Sequence, residues 1–575
     1  MNRRSLLAAV AALTIVALVS IAIRSTAAQS ASAGLTGIVS SAQEAAMEGV
    51  VVSAKRAGST ITVSVVSDER GRYSFPRSRL EPGTYSIRIR AIGYELESPA
   101  TVDVTGNHGA QFDLRLRQTA DLASQLSNGE WFMSWPGGAE VKNGLLNCTQ
   151  CHSLQPVVRS RYTAHDFLQV IERMGRYSQG STMARPQLRP NTHGGGSASA
   201  VRDGMSGVGR EGERPVAGSR TAMAAEYLAS INLSSVSHWQ YPLKTLPRPK
   251  GAATRVIVTE YDLPRPETLP HDAAADADGM IWYADFGTHV LGMLDPKSGK
   301  VVEYPLPITK PGAPVGSLDL VFDKRGDIWM GTMYQGSLAK FDRRTKTFQT
   351  WGSPTFRDRD EARIAMVMPT NHEVDGQVWI GGDSEYQVDV KTGTWRAIDY
   401  SVGLPKDSPV IRQLSSYGVS SDSKNNFYGM NLNGTYIIKV DGRTKKVTPY
   451  PTPNPDAGPR RGHMDGEDRL WFAEFRANAI GMFDTRAETF REWTAPTPWT
   501  NVYDAILDNA GYAWAGGMNN DRVVRVNTKS GEVVDYLLPS STNIRRVNVD
   551  NRTSPPTFWV GNNLGATLVK VEPLE

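Results

Sequence analysis

Two cysteines are all that the 575 residues contain. In an oxidising compartment they would first suggest a disulfide. They stand only three positions apart, however, and no second pair exists to complete a four-ligand zinc site. Charge of one sign is also scarce. A formal net charge of +4, with no basic run interleaved with aromatics, excludes nucleic acid as a partner. Past Ile23 no long apolar run remains, so no further membrane-spanning helix is expected.

What is present is an ordinary globular composition with many turn residues. Apolar residues make up 40% and charged residues 21%, with 53 glycines and 34 prolines. The length calls for several domains, and the turn residues favour β architecture. At the N-terminus Arg3 and Arg4 precede an apolar stretch over residues 6–23, and Ala27, Ala28, Ala31 and Ala33 follow. This order predicts a signal peptide over residues 1–33 and a periplasmic or otherwise exported protein. Left uncleaved, the segment would be a single anchor, the one route to a membrane.

Both cysteines lie in the run Cys148-Thr149-Gln150-Cys151-His152. Two thiols at this spacing can reach the two vinyl groups of one haem, and the next imidazole can turn onto its iron. The run therefore predicts one covalently attached haem c, with Cys148 and Cys151 as anchors and His152 as proximal ligand. A thioredoxin-like redox pair would need a βαβ context that the flanks do not offer. Residues 164–174 set Phe167, Val170, Ile171 and Met174 on one apolar helix face, and residues 221–233 give a second helix with Tyr227, Leu228 and Ile231. Between them, residues 185–218 are rich in Gly, Ser, Arg and Pro and are expected to form a flexible loop.

With this motif and these helices, residues 118–237 resemble the small all-α class of c-type cytochromes. The resemblance implies a methionine as sixth iron ligand, from the loop between the helices. Met183 fits, with Met205 and His193 as alternatives, while Met174 reads as core. Over residues 34–117, β-rich runs such as Val50-Val51-Val52, Ile61-Thr62-Val63-Ser64-Val65, Tyr73-Ser74-Phe75, Tyr85-Ser86-Ile87-Arg88-Ile89 and Phe112-Asp113-Leu114 alternate with turn residues. With Gly71-Arg72-Tyr73-Ser74-Phe75 and Leu80-Glu81-Pro82-Gly83-Thr84-Tyr85, this segment resembles the carboxypeptidase regulatory-like β-sandwich family, which implies an interaction or stability role.

Residues 255–575 form an internal repeat. Trp282, Trp329, Trp379, Phe427, Trp471, Trp514 and Trp559 align at spacings of 47, 50, 48, 44, 43 and 45. Several strands per unit and seven units predict a seven-bladed β-propeller. The run Val256-Ile257-Val258-Thr259-Glu260-Tyr261 is expected to pair with the last unit near Val569-Lys570-Val571 and close the ring. The predicted fold is thus multidomain and mainly β: a β-sandwich, a small all-α cytochrome domain and the propeller.

Pro270-His271-Asp272, Asp278-Gly279-Met280-Ile281-Trp282-Tyr283-Ala284-Asp285 and Leu470-Trp471-Phe472-Ala473-Glu474 resemble the virginiamycin B lyase family. That resemblance implies a catalytic histidine and magnesium-binding carboxylates arranged as Glu-x-His with a further Glu fourteen residues on. Here His271 and Asp285 keep the spacing, but Leu269 stands where the first Glu would be. Glu474 has Arg460 fourteen residues back, and His463 is eleven away. The catalytic candidates are therefore His271, Asp285, His463 and Glu474, with magnesium as a second cofactor. His372, Arg460 and Arg461 join them as lining of a central pocket or as plain blade-rim residues.

The expected function is periplasmic electron transfer by a c-type haem, with the propeller docking a redox partner protein or binding a small-molecule substrate. The alternatives are a carbon-oxygen lyase with an accessory cytochrome, and a non-catalytic extracellular binding protein.

Overall fold

The computed structural model describes residues 33–106, 109–189, 219–354, 364–368, 376–382 and 385–574. The expected signal segment up to residue 32, most of the loop 185–218, and the candidates His193, Met205 and His372 lie outside the described residues. The chain forms two compact units: Met1–Ala120 with Arg248–Thr259, and Asp121–Pro247 with Glu260–Glu575.

In the first unit one sheet runs Ile61–Val66, Val51–Arg56, Gly83–Arg90, Ala100–Val104, and the other runs Arg72–Pro76, Ala33–Ser41, Leu114–Gln118, Tyr94–Leu96. Alternation explains the packing. In Gly83–Arg90 the side chains of Tyr85 and Ile87 are buried while Thr84, Ser86 and Arg88 are exposed. Tyr85 and Ile87 join Leu35, Val39, Val52, Phe75 and Leu116 in a single core. Ala33–Ser41 is built largely from small residues and is not among the β-rich runs that the sequence singles out. Gly37 explains one of them: a Cβ there would stand 1.9 Å from the carbonyl oxygen of Phe112.

The second unit holds five described helices, Asn128–Ser134, Ala139–Asn143, Gln155–Val158, Ala164–Gly175 and Arg220–Ile231, ahead of the repeat. Ala164–Gly175 starts at Thr163, whose side chain accepts from the Asp166 amide in a reciprocal capping box. Of its apolar face only Phe167 is buried. Met174, expected in the core, is exposed.

Six four-stranded sheets follow, opening at Ala274–Ala275, Leu318–Phe322, Ile364–Met368, Gly418–Ser421, Pro459–Met464 and Val502–Leu507. Ile544–Asp550, Thr557–Asn562 and Thr567–Pro573 begin a seventh. Within the second unit the Tyr261 ring stacks on Trp559 with centroids 5.6 Å apart, and the Leu263 amide donates to Ala566 O at 2.9 Å. Residues 261 and 263 of the second unit thus lie against its own last blade.

The repeat has a physical basis. In four blades an aspartate accepts from the indole N–H six residues later: Asp276 from Trp282, Asp323 from Trp329, Asp465 from Trp471 and Asp508 from Trp514. The same rule corrects the fourth unit. Tyr428, not Phe427, donates to Asp422 six residues back and pairs with Lys439, as Trp329 pairs with Lys340. Phe427 occupies the position of Ile328, so the register is shifted by one residue from the sequence alignment.

Candidate functional site

The inner strands of five blades share an irregularity. Register shifts fall at Leu318/Val321, Ile364/Met366, Pro459/Gly462, Val502/Ala505 and Ile544/Val547. Such bulges re-aim side chains. Those at Asp319, Arg460, Arg461, Tyr503, Asp504, Arg545 and Arg546, with His271 and Asp272 from the first blade and Tyr417 from the fourth, form one contiguous polar cluster. Every one of these that carries charge is buried.

Its wiring is dense. His271 Nδ1 lies 2.9 Å from Asp272 Oδ2, and its ring stacks on Phe286. Arg461 donates to Asp319, which also faces Arg546 Nε at 3.4 Å. Arg546 reaches Asp504 at 3.1 Å, and Asp504 holds His463 Nε2 at 3.0 Å. The hydroxyls of Tyr417 and Tyr503 are 2.9 Å apart, with the Arg460 guanidinium 4.9 and 4.1 Å from their ring centres.

The electrostatics follow from burial against charge. Burial, with help from Arg461, holds His271 well below the usual imidazole range, so it is neutral. Burial would push the Tyr417 phenol up, but Arg460 and Arg461 outweigh it and bring the pKa down to about 7. Burial likewise opposes ionisation of Asp504, yet Arg546 and His463 hold it at about 2. Asp272 is pushed up by burial to about 6, against the pull of Arg546 and Arg461.

Ligand atoms of His271, Asp272 and Asp319 lie within 4.8 Å of one another. They do not fit magnesium. The Asp272 oxygens accept from the amides of Asp319 and Leu320, and Asp319 is paired with Arg461 and Arg546. A hard cation would have to displace two guanidinium groups. The other expected carboxylates do not converge there. Asp285 accepts from the amides of Leu269, Gly287 and Thr288 and pairs with Arg265, which makes it a loop anchor. Burial and the neighbouring Glu492 push Glu474 up to about 9, so it is a neutral acid rather than a metal ligand.

The helical segment covers one mouth of the ring. Its contacts fall on loops that precede inner strands or follow second strands. Gly129 N donates to Asn519 O at 2.6 Å, and Phe132 stacks on Trp499 at 5.0 Å. Gln187 donates to Gly287 O and accepts from Val315 N. Residues 185–189, expected to begin a flexible loop, are thereby docked. At the opposite mouth lies a cavity of about 780 Å³, whose lining includes His463, Arg546, Asn548, Asp465 and Lys529.

The cysteine run sits on the covered mouth. Asn543 Nδ2 donates to Thr149 O at 2.8 Å, and Arg545 donates to Gln150 O at 2.6 Å. Cys148 and Cys151 form no disulfide. Burial, then the neighbouring Cys151, push the Cys148 thiol up to about 11; burial also raises Cys151, with Arg545 and Arg189 pulling it back. His152 Nδ1 lies 2.6 Å from Ser153 O, which orients the ring and leaves Nε2 as its ligand atom. Two free thiols and an oriented imidazole fit covalent haem attachment. Met183, in contrast, is 82% exposed.

Sequence reasoning found His271, Arg460, Arg461 and His463 but missed Asp272, Asp319, Tyr417, Tyr503, Asp504, Arg545 and Arg546. A signal existed. Counting ten and eleven residues back from the blade aromatic gives Asp272 and His271, Asp319, Tyr417, Arg461 and Arg460, and Asp504 and Tyr503.

No curated protein matches the chain. Among solved structures, virginiamycin B lyase from Staphylococcus aureus is similar at 18% identity and a TM-score of 0.46, over 55% of this chain and 99% of that one. A streptogramin B lyase structure gives 18% and 0.46 over 56% and 100%. The extracellular domain of a one component system from B. thetaiotaomicron gives 15% and 0.40 over 53% and 40%. Among the described residues no helix is long and apolar enough to cross a membrane. Residues 34–117 match the family described as the carboxypeptidase regulatory-like domain.

Proposed function

We propose that the chain is an exported c-type haem protein that transfers single electrons, and that its propeller docks a redox partner or binds the substrate whose electrons the haem collects. The observation that carries this reading is the run Cys148-Thr149-Gln150-Cys151-His152, with both thiols unpaired and His152 Nδ1 turned to a carbonyl. When bound, haem supplies one-electron chemistry that no side chain here offers. The chain's own contribution is to hold and shield. Asn543 and Arg545 fix the backbone of the attachment run, and the stack of Phe132 on Trp499 helps keep water from the mouth beneath it. A lyase reading has less support, because Asp285 is a loop anchor and Glu474 a neutral acid.

The test is a denaturing gel stained for haem peroxidase activity, run on the protein from a host able to attach haem c. The wild type should keep its stain, and Cys148→Ala with Cys151→Ala should lose it. A wild type that never carries covalent haem sinks the reading.

A further inference from the structure

Arg545 differs from Arg461 and Arg546. Arg461 donates to Asp319, and Arg546 faces Asp504, Asp319 and Asp272. Arg545 is equally buried, at 2% exposure, but its donors go to Asn543 Oδ1 and Gln150 O, and it has no carboxylate partner among the described residues. A buried guanidinium without a carboxylate partner is costly. It is also held still. Asn543 grips Arg545 Nε through its oxygen and Thr149 O through its amide, so Arg545, Asn543 and the attachment run form one closed clamp. The rings of Phe286 and Tyr503, each 5.5 Å from the guanidinium carbon, screen it from water.

We infer that Arg545 is a charge-tuning, positioning residue whose positive charge, without a carboxylate partner among the described residues and clamped onto the attachment run, raises the reduction potential of the haem. This rests on the haem reading above. Reduction adds one negative charge to the site, a fixed cation beside it favours that state, and the effect is strongest where water is excluded. Nothing is oxidised or reduced at Arg545 itself.

The measurement is the midpoint potential of the full, haem-loaded chain by spectroelectrochemistry. Arg545→Gln should shift the reduced-to-oxidised ratio about tenfold toward the oxidised form, ~59 mV for one electron. Arg545→Lys keeps the charge and should stay near wild type. Asn543→Asp, which neutralises Arg545 in place, should move the potential in the same direction as Arg545→Gln, and it carries the test should the Gln variant not fold. Asn543→Ala breaks the clamp but keeps the charge and should change the potential little. Equal shifts in the Gln and Lys variants, or no shift in Arg545→Gln and Asn543→Asp, overturn the inference. Absence of covalent haem in the wild type is visible on the stained gel beforehand, and marks failure of the haem reading instead.

Discussion

The indole N–H of Trp514 donates to Asp508 Oδ2, six residues upstream, at 2.8 Å, while the other oxygen of Asp508 accepts from the amides of Ala510 and Tyr512 at 2.9 Å each. One carboxylate thus fixes both the turn and the aromatic that follows it. Trp514 is fully buried and packs face to face on Phe558 of the next blade, with centroids 5.1 Å apart. The Asp-to-aromatic bond therefore sets how neighbouring blades meet.

Asp508→Ala should destabilise the second unit by about 2–4 kcal/mol, because it strands a buried indole N–H and two turn amides. Trp514→Phe keeps most of the ring and should cost about half as much. Urea unfolding followed by tryptophan fluorescence compares them. A loss in Asp508→Ala no larger than in Trp514→Phe would mean that ring packing alone holds the blade.

The same bond explains what the sequence made legible. Blade number and strand order could be read because a buried aromatic recurs in every unit. The fourth unit was misread by one residue because Phe427 and Tyr428 are adjacent aromatics, which the hydrogen bond to Asp422 and the pairing with Lys439 distinguish. The central cluster was half legible. His271 and His463 stood out as rare residue types, whereas Asp319 and Tyr503 are common ones whose inward aim comes from a bulge that no local pattern announces. Arg545 was further hidden because the last blade carries extra residues around Ser554-Pro555, which move it fourteen residues ahead of Trp559.

Tyr417 should titrate near neutrality. Its folded pKa of about 7 lies below the ordinary phenol value of 10.0, so between these values the unfolded chain binds the extra proton. This group therefore adds stability as pH rises from about 7 toward 10, and that contribution is lost as pH falls back through 7. Near-ultraviolet difference spectra should show phenolate growing from about pH 6 to 8 in the wild type and not in Tyr417→Phe. Identical spectra for the two proteins over that range would show that Arg460 and Arg461 do not stabilise a phenolate.

Ring closure should depend on Tyr261. Its ring is buried and stacked on Trp559, next to the bond from Leu263 N to Ala566 O. Tyr261→Ala removes a large buried aromatic at the seam, with an expected loss of about 3–5 kcal/mol. Tyr261→Phe should cost little. Limited proteolysis of the alanine variant should cut first in the last blade, near Thr567–Pro573, because an open ring exposes that strand edge. First cleavage elsewhere would mean that the seam is held by other contacts.

The sixth ligand of the proposed haem decides how the site behaves toward small molecules. A thioether raises the potential relative to a second histidine and blocks the distal face. Met183 sits in a turn where the Thr182 amide donates to Arg185 O at 3.2 Å, and its side chain is 82% exposed, so the described packing does not commit it to the core. An unbranched methionine on such a turn has the reach and flexibility to act as ligand. Met183→Ala in the haem-loaded chain should open the sixth position, speed carbon monoxide binding and lower the midpoint potential, while covalent attachment stays intact because Cys148 and Cys151 are unchanged. Met183→His should restore a low-spin spectrum but not the potential, since imidazole fills the site without the thioether's preference for the reduced iron. An unchanged spectrum and potential in Met183→Ala would move the ligand to Met205 or His193.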